Sequence, residues 1–373
     1  MIRKFRALGL LGIILLPLLL TGCFNYRDIN RVTFSTSIIF DIDELGRTII
    51  YLDCIKPYRS TNDSSDKGRR IIYKGEGKTV VEALSNINMI SGYKLNYTQT
   101  KAYIFTERAA QKGIKKFLDL INDNNQFQMK SSAFVYYGDV QELLKTTSSD
   151  EEYLGLFLNE LVKTDNDDIK FIKSNINYYL SNTLMGSNTL MLSAMDLKKD
   201  AIDQKVEIKG GAVFKNNKLV ENIPLEDTIA YNLLTRNLRD GNLEIPNPQS
   251  NDGFITLQIL ESNVKDSLKY EDGKFKLIKN IEIAVSVAEA QEQFVVDSDV
   301  LNYITKNEEA FVSEYAKFIF NKYKDKDLDL FDVERMVEVY YPKSEVANPL
   351  KYTDIEVNTK VKIKGTGVTR NSL

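Results

Sequence analysis

Alternating and β-branched residues predict β-strands at both ends of the chain. Residues 32–40 and 47–55 are rich in β-branched side chains and are separated by a polar turn that ends in glycine, so they predict a hairpin. Residues 353–364 alternate strictly, with isoleucine, valine and threonine on one face and charged or amide side chains on the other. This alternation predicts a strand with one buried side and one solvated side.

Between these ends, apolar residues also recur at helical spacing. Residues 78–90 and 107–121 each place apolar side chains three or four positions apart, which predicts two amphipathic helices. Short apolar runs at 101–106 and 132–137 predict strands that flank the second helix. Residues 70–137 therefore alternate strand and helix, which is typical of an α/β unit.

A second α/β body is predicted to begin near residue 205. Residues 205–214 and 218–222 flank Asn216 and Asn217, and asparagine tolerates the left-handed backbone of a tight hairpin turn. Asp-Gly pairs at 252–253 and 272–273 mark further turns. The remaining predicted elements are helices at 225–238, 301–323 and 329–341 and strands at 254–260, 264–270 and 275–287.

These patterns together predict an α+β or mixed α/β protein of more than one domain, with mixed sheets and packed helices in both halves. Residues 60–70 hold no apolar side chain and predict a solvated loop, whereas residues 139–181 are mostly helical in pattern. The predicted divisions are a signal segment at 1–22, an amino-terminal region at 23–200 with a further break expected near 140–150, and a carboxy-terminal domain at 201–373.

The first 23 residues have the anatomy of an export signal. Three cations and no acid precede an apolar run at residues 7–20 that is interrupted by Pro17. This run is shorter than the about 20 residues that cross a bilayer comfortably. It is followed by Gly22 and Cys23, which resemble the cleavage and lipidation positions of a bacterial lipobox. The sequence therefore predicts cleavage after Gly22 and a diacylglyceryl thioether on Cys23; the alternative is an ordinary signal in which Cys23 is incidental.

Composition restricts the chemistry that the chain can perform. Among 373 residues there is no histidine, so the commonest general base and the imidazole ligands of catalytic zinc sites are missing. No complete nucleophile, dinucleotide or cysteine-pair motif occurs either. A formal net charge of −3 gives no electrostatic footprint for nucleic acid. We therefore predict a non-enzymatic protein without metal, cofactor or nucleic acid.

A phosphate-loop motif is suggested by residues 75–79, Gly-Glu-Gly-Lys-Thr, but it is incomplete. The loop would need a glycine five positions before Gly77, where the chain has Ile72. The segment is therefore predicted to be the entry to the helix at 78–90.

Two acidic segments and one cysteine have structural interpretations as well. Asp41 and Asp43 resemble the start of a calcium loop. The residues that follow them in this chain do not supply the later oxygen ligands that such a loop needs. The acids at 165–168 are predicted to cap a following helix, with weak divalent binding as the alternative. Cys54 lies in a strand pattern and has no partner once Cys23 is lipidated, so it is predicted to be a buried, unreactive thiol.

Several stretches resemble, in order, a known family of lipoproteins. Residues 22–30 (Gly-Cys-Phe-Asn-Tyr-Arg-Asp-Ile-Asn) are similar to the family opening Gly-Cys-Trp-Asp-x-Arg-Glu-Ile-Asn. Residues 75–84 resemble its EGKTLEEAL helix entry, residues 210–220 its GLAVFKDDKLV hairpin, and residues 341–343 with 355–367 its closing YPK and VKVKIRRTG. The order and spacing of these pieces identify the chain as a member of the Ger(x)C family, the C subunits of bacterial spore germinant receptors.

This resemblance implies a function that the residues alone do not. It implies a non-catalytic subunit that assembles with a multi-helix A subunit and a transporter-like B subunit and is required for nutrient-triggered germination. It also implies location at the inner spore membrane, with the lipid anchor on the outer face; contact with the nutrient stays open. The departures from the family pattern are Phe24, Asn25 and the Lys364-Gly365 pair. The alternatives are a solute-binding lipoprotein of a transporter and a wall-processing enzyme.

Overall fold

A computed structural model describes residues 31–56, 69–146, 151–164, 169–172, 174–185, 188–200, 203–366 and 371–372. The predicted signal segment with Gly22 and Cys23 lies outside the described residues, as do most of the predicted loop at 60–70 and the acids at 165–168. The outcomes below concern the described part of the chain.

The amino-terminal body, residues 31–223, is built on a mixed sheet that has nine strands among the described residues. The strands are β1 Val32–Ile42, β2 Thr48–Lys56, β3 Arg69–Gly77, β4 Lys94–Asn96, β5 Ala102–Thr106, β6 Ser132–Tyr136, β7 Thr189–Asp200, β8 Asp203–Lys215 and β9 Lys218–Ile223. Their order is β3-β2-β1-β5-β6-β7-β8-β9, with β4 beside β1. Strands β1, β5, β6 and β7 run parallel, and antiparallel hairpins complete both edges.

Helices cover both faces of this sheet. They are α1 Val80–Ile90, α2 Glu107–Lys112, α3 Lys115–Asp123, α4 Val140–Lys145, α5 Leu154–Thr164 and α6 Ile176–Leu184. Side chains of α1, α2, α3 and α6 share a core with Ile38 and Phe40, whereas those of α4 and α5 share the opposite core with Ile39. Alternate residues of β1 thus enter different cores, which gives three layers and confirms the predicted α/β unit.

One predicted helix is in fact two. The segment at 107–121 was expected to be continuous, but α2 ends before Gly113, whose φ is 115°. This backbone conformation is rarely adopted by residues with a side chain, so Gly113 ends α2 and redirects the chain into α3. The helical spacing of Phe117, Leu118 and Ile121 is retained because these residues lie wholly within α3.

The carboxy-terminal body, residues 225–366, combines a second sheet with three helices in the described residues. Its strands are β10 Asn242–Pro246, β11 Phe254–Glu271, β12 Lys274–Ala290 and β14 Thr353–Thr366, and its helices are α7 Leu225–Thr235, α8 Ser298–Lys324 and α9 Val333–Tyr340. The sheet order is β10-β11-β12-β14, in which β14 runs parallel to β12. A separate pair joins β13, Phe294–Val295, to β15, Asn371–Ser372.

The turn and strand patterns of this body are largely confirmed. Asp272 and Gly273 have φ values of 51° and 81° and connect β11 to β12, as the Asp-Gly pair predicts. Strand β14 buries Val357 and Val361 and exposes Asn358 and Lys360, as the alternation predicts. The prediction of two strands at 254–260 and 264–270 was wrong, because β11 continues through a register shift between Ile259 and Glu261.

The two bodies share a core. Residues of α7 pack with Met191 and Val213 of the first sheet as well as with the second sheet. Buried Asn232 of α7 donates from Nδ2 to the carbonyl oxygens of Ile169 and Phe171, at 2.7 and 3.1 Å. These contacts join α7 to the amino-terminal body. The fold is therefore a mixed α+β architecture with packed helices in both regions, as predicted; the boundary at 200/201 stays a prediction.

Candidate functional site

The longest described helix, α8, lies against β14 and presents one apolar face to the core. Asp297 caps its first turn by accepting a hydrogen bond from the backbone N–H of Val300 at 2.8 Å. The buried residues fall three or four positions apart, as an amphipathic helix requires: Ile304, Glu308, Val312, Ala316, Ile319, Phe320 and Tyr323. Glu308 is the one charged member of this buried set, so it marks a departure from an otherwise apolar stripe.

Glu308 lines a cavity of about 170 Å³ that lies between α7, α8 and β10 and is partly open to solvent. Helix α7 contributes only apolar side chains, including Ala230 and Leu233, and β10 contributes Ile245 together with Glu244. Helix α8 contributes Tyr315 besides Glu308. The lining therefore holds the carboxyl group of Glu308 and the phenol of Tyr315, and its described residues include no lysine or arginine.

The Glu308 carboxylate is poorly accommodated by its surroundings. The residue is 7% exposed, and within the described chain no hydrogen bond or ion pair reaches its side chain. Burial raises the pKa of Glu308 above its usual range, because water is removed and no donor replaces it. The Glu308 oxygens are not among the fully buried side-chain atoms that lack a hydrogen-bond partner, so they reach solvent through the cavity, and no group of the described residues neutralises the charge there.

A row of aromatic side chains begins at the mouth of this cavity. Phe311, 62% exposed, stacks on Tyr315 with ring centroids 5.9 Å apart, and Tyr315 stacks on exposed Phe318 at 5.8 Å. Spacings of four and three residues place the rings along one side of α8. Exposed aromatic rings beside an apolar cavity are typical of a binding surface.

Asp227 of α7, beyond Tyr315, provides a contrast with Glu308. It is also buried, but it accepts hydrogen bonds from Lys322 Nζ at 2.5 Å and from the hydroxyl of Tyr323. The Tyr315 hydroxyl lies 3.4 Å from its other oxygen. Burial and the Asp227 carboxylate together raise the pKa of Tyr323. Asp227 is thus fully engaged in joining α7 to α8.

A buried lysine supports the α7 side of the cavity. Lys279 of β12 is fully buried, and its Nζ donates to the carbonyl oxygen of Leu234 at 2.8 Å and to Asp266 Oδ2 at 2.7 Å. The ammonium also lies 5.4 Å from the ring centroid of Phe331. Burial lowers the pKa of Lys279, which Asp266 partly opposes. Lys279 therefore fixes the last turn of α7 to the sheet.

The structure assigns structural roles to the motif at residues 75–79 and to Cys54. Thr79 caps α1 by accepting from the N–H of Glu82 at 3.1 Å, and Glu82 Oε2 accepts from the N–H of Lys78 at 2.7 Å. The two hydrogen bonds satisfy backbone donors at the start of α1, as in a capping box shifted by one residue, and they confirm helix entry. A Cβ at Gly75 would lie 2.2 Å from the carbonyl oxygen of Ala83, so glycine is required where α1 crosses β3. Cys54 is fully buried in β2, and burial raises the pKa of its thiol, as predicted.

The calcium-like segment is also occupied by protein contacts. Asp41 is buried and accepts from the hydroxyl of Thr106 at 2.5 Å and from Arg108 at 2.6 Å. Asp43 forms an ion pair with Arg47 at 2.7 Å across the turn. Among the residues described here, no three acidic or cysteine side chains are grouped so that they could hold a metal ion. Within the same ranges, no helix combines the length and apolar character needed to cross a bilayer.

Sequence reasoning did not identify the α7–α8 cavity. Its only local signal is Glu308, which interrupts the spacing of Ile304, Val312 and Ala316. The other walls come from α7 and β10, more than 60 residues earlier in the chain, and their approach depends on tertiary packing.

Comparisons with known proteins agree along nearly the whole chain. Residues 25–197 match the family described as "Spore germination protein N-terminal domain", and residues 209–367 match "Spore germination B3/ GerAC like, C-terminal". Spore germination protein GerQC of Bacillus cereus is 24% identical over 367 residues, covering 95% of this chain and 98% of that protein.

A solved structure is similar in fold. The crystal structure of the GerBC protein matches with a TM-score of 0.54 at 14% identity, over 88% of this chain and 96% of that one. At this identity the match concerns the fold, and it supports the mixed α+β architecture. Because the two family models together cover most of the sequence in the expected order, the chain belongs to the GerAC-like, or Ger(x)C, family of spore germination proteins.

Proposed function

We propose that this protein is a lipid-anchored, non-catalytic subunit of a nutrient germinant receptor that acts with A-type and B-type membrane subunits. The observation that carries the proposal is the pair of family matches, at residues 25–197 and 209–367. The first match begins two residues after Cys23, the position expected for the lipidated terminus of a family member. The absence of histidine from the sequence supports a role in binding rather than in catalysis.

The lipid anchor supplies the contact with the membrane in this proposal. A single acyl chain gives an association constant of only about 10⁴ M⁻¹, whereas two chains make anchoring stable at about 0.8 kcal/mol per buried CH₂. A diacylglyceryl group on Cys23 would hold the two bodies beside the membrane subunits and raise their effective concentration there. We place this anchor on the outer face of the inner spore membrane.

The substitution Cys23→Ala tests the anchor and its role together. We expect nutrient-triggered germination through this receptor to be abolished or severely weakened, and the protein to be depleted from spore membranes. Cys54→Ala is the matched control, because it removes the other cysteine while leaving the lipidation site intact. Germination rate and the membrane-bound fraction are measured in spores of the three strains.

Two results would contradict the proposal. Wild-type germination with the Cys23→Ala protein found outside the membrane fraction would show that the anchor is dispensable. Equal membrane content in wild type and Cys23→Ala would show that the lipid on Cys23 is not what retains the subunit.

A further inference from the structure

The α7–α8 cavity is lined by a carboxyl group, that of Glu308, which has no protein partner among the described residues and is open to the cavity. Glu308 is more than nine-tenths buried, and its carboxyl group is unpaired in the part of the chain that the structure describes. Asp227, on the facing helix, shows how this fold treats a buried acid that has only a structural role, since it is paired with Lys322 and Tyr323. Glu308 has no lysine or tyrosine partner of this kind among the described residues, although it also lies where α7 and α8 pack together.

The chemistry of the lining restricts what could complete this site. The Glu308 carboxyl group lines the cavity, exposed Glu244 lies at its edge, and none of the described residues in its walls is basic. A cation is therefore attracted, whereas an anionic group on the same ligand would be left without a partner. The remaining walls, formed by residues such as Leu233, Ile245 and Val312, favour an apolar body.

The size of the cavity restricts the ligand further. At about 170 Å³ it is close to the roughly 150 Å³ apolar cavities that accept benzene. A ring of that size, or a branched alkyl group, fills the apolar part and leaves space for one ammonium group near Glu308. Phe311 and Tyr315 at the mouth present ring faces to which a cation is also attracted during entry.

We infer that the α7–α8 cavity is a binding site for a small protonated amine with a compact apolar body, held by an ion pair between its ammonium group and Glu308. The lining offers an anionic group no partner, so a free amino acid should bind more weakly than the amine that lacks its carboxylate. Burial raises the pKa of Glu308 in the cavity. A bound ammonium group would favour the ionised carboxylate and so lower that pKa. This inference extends beyond the proposed receptor assembly and does not depend on it.

Benzylamine is a suitable probe, with benzyl alcohol as its neutral counterpart and benzoate as its anionic one. The full-length lipoprotein in nanodiscs, labelled at the alanine methyl groups with ¹³C, is titrated with each compound and followed by NMR. Ala230 and Ala316 line the cavity and report binding there. Ala133, buried in the amino-terminal body, is the reference signal.

The expected result is a saturable shift of the Ala230 and Ala316 signals with benzylamine, at an affinity at least tenfold higher than for benzyl alcohol, and no shift with benzoate. Glu308→Gln should weaken benzylamine at least tenfold and leave benzyl alcohol within twofold. Glu314→Gln, an exposed glutamate on the same helix, is the matched control and should change neither.

Three results would overturn the inference. They are the absence of a saturable shift at Ala230 and Ala316, equal affinity for benzylamine and benzyl alcohol, and unchanged benzylamine affinity in Glu308→Gln. Germination is not the readout, so failure here leaves the receptor proposal standing, and the reverse holds as well.

Discussion

Lys279 and Asp266 form a buried ion pair, and replacing Asp266 should destabilise the protein much more than replacing Lys279. Asp266→Asn removes the negative charge that faces a fully buried ammonium and leaves that ammonium with neutral acceptors, the new amide oxygen and the Leu234 carbonyl, beside the Phe331 ring. Removing one partner of a buried pair costs about 3–5 kcal/mol. We expect about 3 kcal/mol here, since the Asp266 side chain is itself 33% exposed and part of its charge is already screened.

Lys279→Met should cost less than about 1.5 kcal/mol. Methionine has a similar length and can pack on Phe331, and the Asp266 carboxylate that remains can turn to water. The main loss is one hydrogen bond to the Leu234 carbonyl, about 1 kcal/mol. Both variants, made in the protein of residues 24–373, are compared with wild type by urea unfolding. Tyrosine fluorescence is the signal, because the chain has 20 tyrosines and no tryptophan.

The pH dependence provides an independent check on the buried charge. Because burial lowers the pKa of Lys279 in the folded state, the unfolded state binds more protons and stability rises with pH through that folded pKa. The cost of Asp266→Asn should therefore shrink between pH 7 and pH 9.5. Equal losses for Asp266→Asn and Lys279→Met, or a cost of Asp266→Asn that does not change with pH, would refute the reasoning.

Three further predictions concern the cap, the last long strand and the cavity acid. Thr79→Ala, which removes the acceptor of the Glu82 N–H, should cost about 1 kcal/mol in urea unfolding, and no measurable loss would contradict the cap. Deleting residues 352–373 should cost about 3–6 kcal/mol from the two buried valines of β14 alone, so an unchanged melting temperature would contradict that role. Burial raises the pKa of Glu308, so the folded wild type binds more protons than the unfolded chain and its stability falls as pH rises from 4.5 to 8. Glu308→Gln lacks this ionisation, so the free energy of unfolding of wild type should fall relative to that of the variant. A difference between the two that does not change with pH would contradict this.

Elements with strong local signals could be predicted from the sequence. The entry to α1 is set by Thr79 and Glu82, which contact only their own turn, so the local motif was sufficient. The alternation in β14 reports one buried face directly, because one side of the strand packs beneath α8. The Asp272-Gly273 turn was equally local, since its backbone angles depend on those two residues.

The remainder depended on contacts between distant segments. Strand β11 was divided in the prediction because the register shift near Glu261 disturbs its alternation, although the ladder with β12 continues on both sides. The pairing of β8 with β7 in the first sheet has no signature in either strand alone. The cavity at Glu308 required α7 and β10 to approach α8, so sequence could indicate an unusual residue but not its setting.

The central proposal is that this chain is one subunit of a membrane receptor, and the most direct test is its co-purification. A tagged copy of the protein is captured from detergent-solubilised inner membranes of dormant spores, and the proteins retained with it are quantified by mass spectrometry. An unrelated tagged spore lipoprotein is the control. We predict that an A-type and a B-type germination subunit are retained in amounts comparable to the tagged chain and are absent from the control. Recovery of the chain without either subunit, or with no more of them than the control retains, would contradict the proposal.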